Sequence, residues 1–138
     1  SWHEIYPAPN LHAPFVFNLT TDSIPKLQDA PPYDAIFTAN TLHIIAWPLV
    51  ERLFELAGEA LPLDGKLIVY GPFKYAGEFT SASNHRFDQS LRASGQGSAI
   101  RDFEAVNRLA INVGLYLKQD VNMPANNRCL VWQKIAQA

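Results

Sequence analysis

A chain of 138 residues, 48% hydrophobic and 17% charged, lies in the globular range and suffices for one domain, residues 1–138, around a single core. Its net charge of −2, with 11 scattered Lys and Arg residues and no basic run, gives no electrostatic case for nucleic acid or anionic lipid. No apolar stretch approaches the roughly 20 residues that span a bilayer, and no charged-then-apolar leader opens the chain, so the expected location is cytoplasmic.

Six of the ten prolines fall within residues 1–33, which therefore read as loop, interrupted by one short strand candidate at Phe15-Val16-Phe17. From Tyr33 to Asn40 a continuous apolar run closed by polar residues predicts a central parallel strand covered on both faces. Pro48 suits the first turn of a helix in which Leu49, Val50, Leu53, Phe54, Ala57, Ala60 and Leu61 recur at three- and four-residue spacing. Pro62 and Asp64-Gly65 stop it, and Lys66 to Tyr70 reads as a second buried strand ended by Gly71-Pro72, completing a βαβ unit.

Residues 73–97 are polar and Gly/Ser-rich, an insertion or lid. Within it Ser83 is the expected cap of a short helix with Phe87 and Leu91 packing on one face and Asn84, Asp88 and Arg92 together on another. Asp102 reads as the N-cap of a further helix striped by Phe103, Val106, Leu109, Ala110 and Val113 and stopped at Gly114. Leu115 to Val121 and Arg128 to Ile135 then predict an antiparallel strand pair joined through residues 122–127.

The order strand, helix, strand, insertion, helix, strand pair matches the second half of a class I methyltransferase, and particular words carry the likeness further. They are Tyr33 to Ile44, Tyr70-Gly71-Pro72-Phe73, Ser83 to Arg92, Ile100 to Glu104 and Met123 to Asn127. From about Asp34 to the end, the chain resembles the methyltransferase-like protein 26 family. The resemblance implies an α/β, Rossmann-like sheet, mostly parallel with an antiparallel C-terminal strand, and S-adenosylmethionine as cofactor. The family's N-terminal strand and glycine loop have no counterpart here, and its Asp-Val word is replaced by Phe17-Asn18-Leu19, with Asp22 four residues beyond Asn18. A central strand without its neighbour would present an unpaired edge, so the expectation is a portion of a longer protein of roughly 200 residues, with a homo-oligomer left open.

Methyl transfer from a sulfonium needs positioning more than covalent help. The resemblance places Asn18, Thr38, Ala39 and Asn40 against the cofactor, with His43 as a base for a substrate proton and Tyr70 beside it as the catalytic candidates. Ser83, Asn84, Asp88, Arg101, Asn126 and Asn127 are the candidate contacts to a small-molecule substrate. Each has a plainer reading: strand-end turn for Asn40, core packing for His43, solvated helix face for the Ser83 to Arg92 group, and turn geometry for Asn126 or Asn127.

A metal is not expected, because His3, His12, His43 and His85 lie in unrelated segments and Cys129, the single cysteine, sits in an apolar run where it reads as a small hydrophobe in a reducing compartment. No Gly-x-Ser-x-Gly elbow supports a serine hydrolase. The sequence thus points to an S-adenosylmethionine-dependent methyltransferase of undefined acceptor, the alternatives being a non-catalytic binding or scaffold protein of the same fold and a nucleotide-binding α/β enzyme of another class.

Overall fold

The computed structural model describes residues 18–24 and 33–136; the strand expected at Phe15–Phe17 lies outside them. Its elements are β1 (Ala35–Ala39), α1 (Trp47–Ala60), β2 (Lys66–Gly71), β3 (Phe73–Tyr75), β4 (Glu78–Phe79), α2 (Ala82–Ala93), β5 (Arg101–Asp102), α3 (Phe103–Asn112), β6 (Leu115–Met123), a 3-10 turn (Pro124–Asn126) and β7 (Asn127–Lys134). Four strands form a mixed sheet in the order β1-β2-β7-β6, and β3, β4 and β5 form a smaller three-stranded sheet.

The sheet grows outward from β2. Parallel pairing runs from Ala35 opposite Lys66 to Ala39 opposite Tyr70, and antiparallel pairing with β7 runs from Lys66 opposite Gln133 to Gly71 opposite Arg128. β6 pairs antiparallel to β7 with a bulge between Leu117 and Gln119, so β1, β2 and β6 run one way and β7 the other. The carboxyl ends of those three strands and the start of β7 therefore share one edge of the sheet, where the connections gather.

Period-two alternation sends Leu67 and Val69 of β2 and Leu130 and Trp132 of β7 to one face, where all are buried. Helix α1 covers that face with Val50, Phe54 and Ala57, and α3 with Val106 and Ala110, which join the same core cluster. Phe54 meets the Trp132 indole edge-on at 5.5 Å, while the indole N–H donates to Asn107 Oδ1 at 2.9 Å, so the largest core side chain is packed and its polar atom satisfied. Gly58 allows α1 to approach α3: a Cβ there would lie 2.7 Å from Val113 Cβ.

Four expectations need correction. Among the described residues β1 is an edge strand and not the expected central strand covered on both faces: it pairs only with β2, and Phe37 is 64% exposed. Its apolar run reflects a partly covered strand, with Ile36 and Thr38 facing α1 and Phe37 facing away. The 73–97 insertion holds more than the expected short helix, because Lys74 and Tyr75 pair with Phe79 and Glu78 across a turn in which Ala76 and Gly77 take positive φ. The cap of α2 is Ser81, whose Oγ accepts from Asn84 N at 3.0 Å, and not Ser83. Asp102 does hold the N-cap position of α3, but its carboxylate makes no capping bond and instead lies 3.7 Å from Lys74 Nζ. The remaining elements form where periodicity and stop signals predicted, Gly114 at φ 83° included.

Candidate functional site

The site builds from the end of β1. Asn40 adopts φ 54°, a left-handed conformation that Asn tolerates, and its N–H donates to the Tyr70 carbonyl at 2.8 Å, which carries the pairing one step past the strand. Thr38 Oγ1 donates to Thr41 Oγ1 at 2.7 Å, and Thr41 Oγ1 to the Ala39 carbonyl at 3.1 Å, so these hydroxyls stabilise the turn. Ala39 and Asn40 are exposed, and among the described residues the Asn40 amide is unspent.

The chain then turns through Thr41 to Ala46, and four consecutive carbonyls of that turn are held by one short segment. Arg101 Nε donates to the Leu42 carbonyl at 3.0 Å, Ala99 N to His43 at 3.0 Å, Ser98 Oγ to Ile44, and Arg101 Nη2 to Ile45 at 2.7 Å. A third Arg101 bond, Nη2 to Gly97 at 2.8 Å, closes the strap, and Trp47 lies 5.6 Å beneath the guanidinium. Pairing with carbonyl oxygens on two sides makes Arg101 a clamp on the turn.

The clamped turn presents His43, 5% exposed, with its ring edge-on to Phe87 of α2 at 5.6 Å and its Nδ1 beside Gly71. Its ring makes no hydrogen bond among the described residues. Burial lowers its pKa, and the Arg101 charge lowers it further, so the imidazole is neutral at neutral pH and carries a free lone pair in a partly desolvated place. That is the state a proton acceptor needs.

The opposite rim comes from β2, β7 and α2. Asn127 Nδ2 donates to Tyr70 Oη at 3.4 Å and to the Pro124 carbonyl at 3.3 Å. Asn126, at φ 60°, offers its Nδ2 to Ser83 Oγ at 3.4 Å, and its carbonyl accepts from Asn84 Nδ2 at 3.2 Å. Turn geometry therefore accounts for the backbone at Asn126, whereas both amide side chains reach across to neighbouring elements.

Helix α2 sits inside out relative to expectation. Asn84 and Asp88 are its buried residues, while Phe87 is 41% exposed. Asn84 Nδ2 also donates to Thr80 Oγ1 at 3.1 Å, and Asp88 accepts from Ile100 N and from Arg92 Nε, both at 2.8 Å. Buried polar groups must be paired, and here the pairing itself docks the helix. The face carrying Asn84 and Asp88 is thus neither solvated nor open to a pocket, and Arg92 alone of the three is largely exposed.

The structure brings Thr38, Ala39, Asn40, His43, Tyr70, Ser83, Asn126 and Asn127 to one end of the sheet, with Asn84, Asp88 and Arg101 beneath as supports. Asn18 lies in a separate turn where its Oδ1 accepts from Thr20 N at 2.9 Å and its N–H donates to Asp22 Oδ2 at 2.8 Å. Sequence reasoning missed Ser98 and Ala99, which strap the turn, Thr41, which closes it, and Thr80, which accepts from Asn84 at the start of α2. Only the Gly/Ser content around Ser98 hinted at close backbone packing. No cluster of His, Cys, Asp and Glu suited to a metal occurs among the described residues, and no described helix is long and apolar enough to cross a membrane.

A family model described as a protein of unknown function, DUF938, matches residues 1–134. Among solved structures, the chain is similar to an O-methyltransferase family 2 protein from Planctomyces limnophilus in complex with apigenin, at 18% identity and TM-score 0.73 over 86% of this chain and 33% of that one. It is likewise similar to human N-acetylserotonin methyltransferase in complex with SAM, at 14% identity and TM-score 0.72, over 87% of this chain and 33% of that one. A third is the methyltransferase CalO1 of calicheamicin biosynthesis in its SAH-bound form, at 17% identity and TM-score 0.63, over 78% and 31%. The chain spans about a third of the length of each and shares its α/β fold there.

Proposed function

The chain belongs to the DUF938 family, and from that premise we propose that it is the acceptor-side part of an S-adenosylmethionine-dependent methyltransferase acting on a small molecule with an ionisable hydroxyl. The single observation that carries this reading is His43: neutral, buried and with no ring hydrogen bond among the described residues, on a turn clamped at the carboxyl end of a parallel strand, where ligands of open α/β sheets bind. The fold shared with methyltransferases whose structures hold SAM, SAH or apigenin supports it. The finer kinship to the methyltransferase-like protein 26 family and a cytoplasmic, reducing setting for the free Cys129 belong to the same proposal.

The described residues fit one wall of a cofactor site. Asn40 offers an exposed amide that is unspent among the described residues, at a left-handed turn, and Thr38 lines an apolar cavity of about 240 Å³ with Ile36, Phe37 and Leu53. That volume is below the ~300 Å³ at which pockets for drug-sized ligands begin, so the cofactor draws on residues beyond this wall. Asn18 enters only through its Nδ2, its Oδ1 being held in the Thr20 turn. When bound, S-adenosylmethionine supplies an electrophilic methyl group. In this chain the unprotonated ring nitrogen of His43 takes the acceptor's hydroxyl proton, and Phe87, which covers the imidazole, excludes water from it. Ser83, Asn126, Asn127 and Tyr70 orient the acceptor from the opposite rim, while Asn84, Asp88 and Arg101 are positioning residues.

A second reading, a non-catalytic binding protein of the same fold, is favoured by the lack of any hydrogen bond orienting the His43 ring among the described residues. Calorimetric titration of the full-length protein with S-adenosylmethionine and S-adenosylhomocysteine tests the first reading. Low-micromolar binding of both, weakened about tenfold by Asn40→Ala, is expected; absence of heat with either ligand ends the methyltransferase reading.

A further inference from the structure

The clamp residue Arg101 has a second side. Its Nε and Nη2 are spent on carbonyls, but among the described residues Nη1 makes no hydrogen bond, and the guanidinium lines a cavity of about 200 Å³ with Trp47, Lys74, Arg92, Asp102 and Ala105. At ~30 Å³ per water, that space holds several waters or one small ionic group. Arg92 comes from the last turn of α2 and, among the described residues, spends only its Nε, on the buried Asp88. Lys74 stands in register with Asp102 on the parallel pair of β3 and β5, only loosely paired at 3.7 Å, with its ammonium 5.2 Å from the Phe79 ring centre.

Three cations thus converge on one cavity that, among the described residues, a single carboxylate lines. Even counting Asp88 behind Arg92, the balance is three positive against two negative. Arg92 and Arg101 repel one another: after burial, the Arg92 charge is what most lowers the Arg101 pKa. Cations with unspent N–H groups around a solvent-sized space are the donor set that recognises oxygen anions, which they meet with short charge-assisted bonds.

We propose that this cavity is a binding site for a small oxyanion group, a carboxylate or a phosphate, held by Lys74, Arg92 and the Nη1 side of Arg101. The site stands on its own charge and shape, independent of methyl transfer. Through Arg101 it also adjoins the turn that carries His43, so occupancy tightens the strap on the Leu42 and Ile45 carbonyls.

Inorganic phosphate and acetate, titrated separately into the purified full-length protein at ionic strength held constant with sodium chloride, are the probes. Thermal midpoint and the Arg92 and Arg101 Nε–H resonances are read together. At least one anion is expected to saturate with the same Kd in both readouts; a response to phosphate alone marks the ligand as phosphate-bearing, and one to acetate marks it as a carboxylate. Lys74→Met, and separately Ala105→Glu, which keeps every cation but adds a lining carboxylate, are each expected to weaken binding at least about tenfold, whereas Lys118→Gln, exposed on β6, leaves it unchanged. If Lys74→Met does not fold, Ala105→Glu decides. The site is refuted if neither anion saturates above chloride, or if the folded variants bind as the parent does.

Discussion

The four-stranded sheet and the cap on its carboxyl edge, residues 73–102, are held by different forces. Leu67, Val69, Leu130 and Trp132 are buried to within 1% against α1 and α3, so the sheet rests on area removed from water, which is non-directional and tolerant of detail. The cap has an apolar root in Phe73, Ala99 and Ile100, but α2 contributes only Asn84 and Asp88 to the interior and is docked through hydrogen bonds to Thr80, Asn126 and Ile100. Such bonds are directional and modest in net energy, and costly when one partner is lost. The base of the molecule is therefore robust, while the part that shapes the candidate site depends on geometry.

The difference can be broken from either side. Trp132→Ala removes the largest fully buried side chain along with its ring contact with Phe54 and its hydrogen bond to Asn107, and is expected to cost about 3–5 kcal/mol in urea unfolding, with the cap lost together with the sheet. Asp88→Ala leaves the buried Ile100 N–H unpaired and frees Arg92; about 2–3 kcal/mol is expected. Here hydrogen exchange should accelerate at residues 98–101 before the β2 and β7 amides respond; uniform acceleration would show that cap and sheet are one cooperative unit.

The smallest effect sharpens the contrast by pH. His43 has a folded pKa below its ordinary value of about 6.5, so the native state binds fewer protons there than the unfolded chain. Its contribution is complete above about pH 6.5, and stability is lost as the pH falls through that value toward the folded pKa. Comparison of unfolding at pH 7.5 and 5.5 is expected to show this loss in the parent and not in His43→Gln, and nitrogen-15 chemical shifts of the ring should titrate below 6.5.

One face of the main sheet teaches a related lesson. Phe37, Ile68 and Val131 stand side by side across β1, β2 and β7, on the face away from α1 and α3, where Phe37 is exposed and the other two are half-buried. In sequence, the Tyr33 to Asn40 run could not distinguish this from a strand covered on both sides, since composition reports which residues suit burial and not which are covered.

Local signals were sufficient for much of the scaffold. Three- and four-residue spacing located α1 and α3, Pro and Gly punctuation ended them, an apolar run located β2, and the turn residues 122–127 located the β6–β7 pair, because each signal acts over one or two turns of chain. The gathering of Asn40, His43, Tyr70, Asn126 and Asn127 at one edge followed from strand order, which resemblance supplied and periodicity did not. Only the tertiary structure decided that Asn84 and Asp88 point inward, that Asp102 serves Lys74 instead of capping α3, and that Ser98, Ala99 and Arg101 grip four carbonyls more than fifty residues away in the chain. Those choices are set by long-range pairing of polar groups, whose partners no local pattern encodes.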